Sequence, residues 1–361
     1  MRRFTAYVLL TFLFLSGCSA PADPDTAQES IQVIAMDTAM LITTYGEHSV
    51  TAAYAAEDRI RELESALSRT DPDSEVSRLN AAGGEAVEIS GDLQTILSQS
   101  AQYSQETGGA FDITVAPAAT AWGFTADRFQ IPSQTELDRL LPLVDSSQVS
   151  IIPSLDSSGD GPKATARLGP GQSVDLGAIA KGYAADQLCK VFDANEIPRA
   201  LADLGGNVLA WGDRPDGAPW RVGIQDPAHP DDKNALVGVL EIVDSFAVTS
   251  GSYQRYFEQD GKRYHHIIDP ATGYPADSGL TSVTVVAGTG SGSGAMCDAY
   301  STALFIMGEE KALDFWRSQL NGSLFSLVLV TEDGRVVVAD KINRFAFAPN
   351  EDSGYAYETA S

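Results

Sequence analysis

Two histidines, two turns and a Ser-Gly pair crowd into residues 249–276, TSGSYQRYFEQDGKRYHHIIDPATGYPA. Gly251, Gly261 and Gly273 permit tight turns or close backbone approach there. The polar groups between them need partners or a ligand, although surface loops gather the same residue types without any function. His265 and His266 are neighbours in what reads as an extended run, so their rings face opposite ways and at most one faces a site. An imidazole can take a proton from a hydroxyl as a general base; a histidine satisfied inside the fold is the competing reading. His48 and His229 sit in no comparable setting.

A second constellation is CDAYSTAL at 297–304, where Asp298 and Thr302 stand four residues apart. On a helix both oxygens share one face. A carboxylate with a hydroxyl suits a hard cation such as Mg²⁺, which takes oxygen ligands and keeps water or phosphate in its other positions. An N-cap aspartate with a back-bonded threonine explains the pair equally well. VDLGAIAKGYAAD at 174–186 runs from a strand end through Gly177 into an amphipathic helix. Helix N-termini favour phosphate, and Lys181 could add charge there, while Asp175 could simply cap. Phe111 in TGGAFDITVAP (107–117) fits a core as well as a site, and Gly205-Gly206-Asn207 fits either close ligand approach or a hairpin turn. There is no Cys/His cluster for zinc or haem, no G-x-G-x-x-G after a strand and no G-x-x-x-x-G-K-[ST].

Six blocks in order make the chain similar to a known family. SRTDPDSEVSRLN (68–80), TGGAFDITVAP, VDLGAIAKGYAAD, ALADLGGN (200–207), the 249–276 run and CDAYSTALFIMG (297–308) resemble the motifs of the FAD:protein FMN transferases, the ApbE family. The resemblance implies Mg²⁺-dependent transfer of FMN from FAD to a threonine or serine hydroxyl of a partner protein, with release of AMP. It implies magnesium ligands at Asp298, Thr302 and the Ala178 carbonyl. It implies FAD contacts at Met36, Thr70, Ala110, Phe111, Asp112, Asp175, Lys181, Thr249, Ser250 and Gly251, with Thr114 supporting Asp112. His266, in an H-x-x-D-P pattern, becomes the base, oriented by Asp269. The implied acceptors are exported flavoprotein subunits of electron-transport complexes, of the sodium-pumping quinone reductase and Rnf types. Two alternatives remain: an FAD pyrophosphatase yielding FMN and AMP, and a non-catalytic FAD-binding lipoprotein. Three positions depart from the family pattern: Asp37 in Met36-Asp37-Thr38 where glycine is usual, Thr70 where an aromatic sometimes stands, and Ala118-Ala119 after Pro117.

The positioning elements can be read from periodicity. Residues 50–67 place Ala53, Ala56, Ile60, Leu63 and Leu67 on one helical face. Further helices are expected at 93–107, 134–141, 179–194 and 298–307, and an opening hairpin from IQVIAM and MLITTY. Strands are expected at 149–152, 200–209, 220–225, 236–242, 247–249, 282–286, 324–330 and 336–339. Their irregular order with adjacent hairpins predicts an α+β fold, one compact ApbE-like (T-fold-like) body with room for two lobes, a largely antiparallel sheet and flanking helices.

The N-terminus reads as an export signal. Arg2 and Arg3 precede a short apolar run that ends in Leu15-Ser16-Gly17-Cys18, a lipobox pattern with Cys18 as the lipidated residue. Residues 1–17 are thus expected to be removed, 18–30 to form a flexible tether, 31–348 the transferase domain and 349–361 a disordered tail. The expected location is a periplasm-facing membrane surface reached through lipid, with Ser19 after Cys18 favouring the outer membrane. Loss of Arg2 and Arg3 leaves 24 − 2 = 22 basic against 49 acidic side chains, a net of −27. That balance excludes a nucleic-acid partner, which needs clustered Lys and Arg. Cys189 and Cys297 imply no disulfide framework, although export permits one bridge.

Overall fold

The computed structural model describes residues 27–124, 128–153, 164–290 and 292–361. The first elements are β1 (Gln28–Ala35), β2 (Thr38–Tyr45), α1 (Ser49–Leu67), α2 (Glu75–Ala81), β3 (Val87–Ile89), α3 (Gly91–Glu106), α4 (Ala116–Trp122), α5 (Gln134–Leu140), β4 (Ser150–Pro153) and β5 (Ala164–Arg167). Then follow α6 (Ala180–Ala194), β6 (Arg199–Asp203), β7 (Asn207–Trp211), β8 (Trp220–Gln225), β9 (Leu236–Ile242), β10 (Ser245–Gly251), β11 (Tyr256–Gln259), β12 (Lys262–His265) and β13 (Leu280–Gly288). The chain closes with α7 (Ser293–Met307), α8 (Glu309–Ser318), β14 (Ser326–Thr331), β15 (Arg335–Ala339), β16 (Ala346–Pro349) and β17 (Ala356–Ala360).

A nine-stranded sheet in the order β1-β2-β6-β7-β10-β13-β14-β15-β17 forms the frame. Every pair in it is antiparallel except β15 with β17. One face packs against α1, α6, α7 and α8, with Ile60, Leu63, Phe192, Tyr300 and Trp316 buried in that layer. The five residues expected on the inner face of α1 are all buried. The opposite face, through Ala210, Val286, Val328 and Val336, meets Trp220, Ile224 and Leu240 of a three-stranded sheet, β16-β9-β8. Central strands therefore have apolar residues on both faces, and all six residues of β14 are buried. The result is the expected α+β body with a mostly antiparallel sheet.

Several local expectations change. The strand expected over 200–209 is two strands, because Gly205 and Gly206 take φ of +76° and +94° and turn the chain into the β6–β7 hairpin. The expected tether to residue 30 ends earlier, since β1 begins at Gln28 and pairs with Tyr45 of β2. The expected disordered tail is ordered. β17 pairs with β15 in parallel, and the Tyr357 hydroxyl donates to the carbonyls of Val237 at 2.6 Å and Asn350 at 2.8 Å. Cys189 and Cys297 are both free thiols; burial pushes Cys189 up to about 12 and raises Cys297 well above the ordinary thiol value. The export signal, Cys18 and the tether to residue 26 lie outside the described residues. Among the described residues, no helix is long and apolar enough to cross a membrane.

Candidate active site

A cavity of about 1080 Å³ opens where the turns of the large sheet, the starts of α4 and α6 and the second sheet converge. It brings together Met36, Thr70, Ala110, Phe111, Asp112, Asp175, Ala178, Lys181, Thr249, Ser250, His266, Asp298 and Thr302 from the sequence-derived set. Gly251 and Asp269 are not among its lining residues. A Cβ on Gly251 would lie 2.4 Å from the Tyr253 ring, so this glycine makes room for an aromatic wall rather than for a ligand.

Two hairpin turns supply one side. Met36 and Asp37 turn β1 into β2 with φ of +49° and +58°, the pattern of a type I′ turn, which aspartate tolerates where glycine is commoner. Met36 N–H donates to Glu64 Oε1 at 2.9 Å, fixing the turn on α1. Thr38 then packs on Gly205, where a Cβ would lie 2.3 Å from the threonine hydroxyl. Asn207, next in that turn, is 2% exposed and lines the cavity, and its Nδ2 has no hydrogen-bond partner among the described residues. A buried amide donor left open costs about 1–3 kcal/mol, so Asn207 presents an unfilled demand for a ligand acceptor.

The polar centre rests on the crossing of α6 and α7. A Cβ on Gly182 would fall 2.2 Å from Gly294 O, and one on Gly294 would fall 2.4 Å from Gly182 O. The backbones thus touch, and Gly182 N–H donates to Asp298 Oδ2 at 2.8 Å. Among the described residues no hydrogen bond occupies Asp298 Oδ1. Asp186, one turn along α6, accepts the N–H groups of Gly294 and Ala295, both at 2.9 Å, capping α7 from its neighbour. Burial raises its carboxyl to about 6 against those two N–H groups. Thr302 follows Asp298 by four residues on α7, and Ser250 bridges its hydroxyl at 3.1 Å and that of Ser301 at 2.8 Å.

Asp175 both caps and pairs. Its Oδ1 accepts from Gly177 N–H at 2.9 Å, while Oδ2 meets the Arg69 guanidinium, which also donates to Thr120 at 2.7 Å. Arg69, beside Thr70, went unread in the sequence because its partners lie 51 and 106 residues away. Asp112 accepts from Thr114 N–H and hydroxyl at 2.8 and 2.5 Å and from Ser146 N–H at 3.1 Å. Thr114 does support that carboxylate, which is largely consumed in holding the loop. Lys181 Nζ lies 3.4 Å from Gly177 O and borders the cavity.

Of the two histidines, His266 faces the cavity and His265 is structural, packed edge-on against Phe305. The expected orientation of His266 by Asp269 is corrected. The His266 ring is held through Nδ1–H, which donates to the Arg255 carbonyl at 3.2 Å. Asp269 instead accepts from Ala271 N–H at 2.9 Å and the Thr272 hydroxyl at 3.2 Å, closing its own Asp-Pro turn. Burial lowers the His266 pKa to about 4, so the ring is neutral and Nε2 carries the lone pair.

The donor set is all oxygen with one carboxylate, and no group of three or more His, Cys, Asp or Glu side chains suited to a metal occurs among the described residues. Such a set fits a hard cation that shares phosphate or water oxygens, and does not fit zinc.

Fold and site together define an α+β protein built around a nucleotide-sized cavity lined by oxygen donors. The ApbE family model matches residues 36–325, and the chain belongs to that family. It is 32% identical over 332 residues to the FAD:protein FMN transferase of Klebsiella pneumoniae, covering 92% of this chain and 97% of the relative. The Treponema pallidum FAD:protein FMN transferase is 34% identical over 284 residues, with 75% and 76% covered. Among solved structures, the ApbE protein of Thermotoga maritima superposes with a TM-score of 0.74 at 28% identity, covering 90% of this chain and 98% of that one. The Pseudomonas stutzeri flavinyl transferase ApbE, in its apo form, gives 0.71 at 26% identity over 91% and 97%.

Proposed function

We propose that this protein transfers the FMN moiety of FAD to a threonine or serine hydroxyl of a partner protein and releases AMP. The observation that carries the reading is the convergence of Ala178, Lys181, His266, Asp298 and Thr302 on one cavity in a chain of this family. The acceptor oxygen forms a bond to the phosphorus on the FMN side, and the bond from that phosphorus to the AMP oxygen breaks. The hydroxyl proton goes to His266 Nε2, which is free because Nδ1–H is committed to Arg255 O. Phosphoryl-type transfer asks mainly for alignment and charge neutralisation, and Lys181 at the start of α6 supplies positive charge. Asp298, Thr302 and the Ala178 carbonyl would hold Mg²⁺, which supplies Lewis-acid stabilisation of phosphate charge when bound. Acceptors of the exported electron-transport flavoprotein class, and lipid anchoring at Cys18, are supported by the sequence pattern and belong to this reading.

The test uses a chain starting at Ser19, which retains every described residue, with FAD, Mg²⁺ and a peptide-fused acceptor carrying one threonine motif of that class. Mass spectrometry should find an added FMN on the acceptor that disappears with EDTA. AMP and free FMN without an adduct would replace the transferase by a pyrophosphatase. Bound FAD with no AMP would leave only a binding protein.

A further inference from the structure

We propose that the free edge of β8 is the docking strand for the acceptor, which adds to the β16-β9-β8 sheet as an extended fourth strand and thereby delivers its hydroxyl to the cavity. The inference rests on the transferase reading and names how its second substrate binds.

Among the described residues, β8 is the last strand of its sheet and pairs only with β9. Outside that ladder, the backbone of residues 221–224 enters no hydrogen bond among the described residues. Arg221, Val222, Gly223, Ile224 and Gln225 all line the cavity. Side chains of a strand alternate between faces, so a strand bordering a space with one face contributes every second residue. Five in succession mean that the edge itself borders the space. Proteins usually cover such an edge or blunt it with proline or inward charge. This one carries no proline and has Gly223 at its middle.

Gln254, Arg255 and Tyr256 line the same cavity. Arg255 gives the carbonyl that holds His266, so a segment added to the edge of β8 enters the same cavity that His266 lines. A hydroxyl on a rounded protein surface cannot enter a cavity, whereas one on an extended segment can. Strand addition takes its affinity from main-chain hydrogen bonds, which leaves the acceptor side chains small and the threonine free to point inward.

The probe is a synthetic ten-residue peptide of the acceptor class with one central threonine. It is made unmodified and in two N-methylated forms, each blocking alternate amides. Only one set of amides can face β8. One methylated form should therefore raise KM for the peptide at least tenfold with KM for FAD unchanged, and the other should behave like the parent. Equal effects from both forms would overturn strand addition. Amide hydrogen exchange of residues 221–225 in the presence of FAD and peptide gives a readout independent of turnover. Protection at alternate amides supports docking even if no FMN is transferred, in which case the transferase reading alone fails. Transfer without protection there sinks the docking site and leaves the transferase standing.

Discussion

His265 and His266 are adjacent in sequence yet hold their protons on opposite ring nitrogens. His265 donates through Nε2 to Ala276 O at 2.9 Å and accepts Ile267 N–H at Nδ1, 3.3 Å away. His266 donates through Nδ1 to Arg255 O. The first ring has both nitrogens satisfied, and the second keeps Nε2 for chemistry. His266→Ala should lose about 10²–10⁴ in transfer rate, the usual reach of a general base. His265→Asn should act on stability instead. Single-turnover rates with FAD and acceptor, beside melting curves, separate the two, and an unchanged rate in His266→Ala would make that ring structural as well.

The pH behaviour follows from the same burial. Because His266 resists protonation down to about pH 4, its lone pair is available well below the usual histidine value near 6.5. The acid limb of kcat/KM should therefore show no histidine step between about pH 5.5 and 7.5. A step near 6.5 would mean the ring is hydrated in the working enzyme. For stability the sign is the same: the folded pKa is depressed, so the contribution is complete above about pH 6.5 and is lost as pH falls through about 4.

Asp186 works the other way. Its folded pKa is raised to about 6, so its contribution is complete below the ordinary carboxylate value and lost as pH rises through 6. Relative to Asp186→Asn, the parent should lose roughly 2–3 kcal/mol between about pH 4 and 7, because each tenfold change in proton affinity is worth about 1.4 kcal/mol. Denaturant titrations at the two pH values measure the difference. A parent that gains on the variant would show that the two N–H groups of α7 outweigh desolvation.

Asp298→Asn keeps an acceptor for Gly182 N–H and removes the only charge among the three donors proposed for magnesium. Transfer should fall by at least a hundredfold while the melting temperature moves little. EDTA should abolish activity in the parent, and added Mg²⁺ should restore it. Normal turnover of the variant at low Mg²⁺ would remove Asp298 from the metal assignment.

Asn207→Leu replaces an unpartnered amide with an apolar group of similar size. If Nδ2 serves FAD, KM for FAD should rise about tenfold or more with the fold unharmed, in line with about 1–3 kcal/mol for a buried hydrogen bond lost. Unchanged KM with higher stability would show that the amide serves nothing.

Periodic elements were legible because their burial repeats at the helical or strand period. The inner face of α1 and the paired oxygens of Asp298 and Thr302 on α7 are examples. The helix α4 was missed since APAATAW carries little periodicity, and Pro117 at its start looks like loop chemistry. β17 was missed because its parallel partner, β15, comes from a distant pairing that local sequence does not announce. At the site, motif residues were readable and their partners were not. Arg69 with Asp175 and Asp186 with α7 join positions more than 100 residues apart. The Asp269–His266 pairing rests on the H-x-x-D-P resemblance, and the Asp-Pro turn has a nearer use for that carboxylate.

The contact of Gly182 with Gly294 sets the spacing of α6 and α7 by main chain alone. A distance fixed by two backbones does not drift when surrounding core side chains are exchanged for others of different length. The hydrophobic layers around the helices are thereby released to diverge while the oxygen donors stay in register. The same arrangement concentrates vulnerability: Gly182→Ala should cost at least about 1–3 kcal/mol by overpacking, although it adds a single methyl group and touches no substrate.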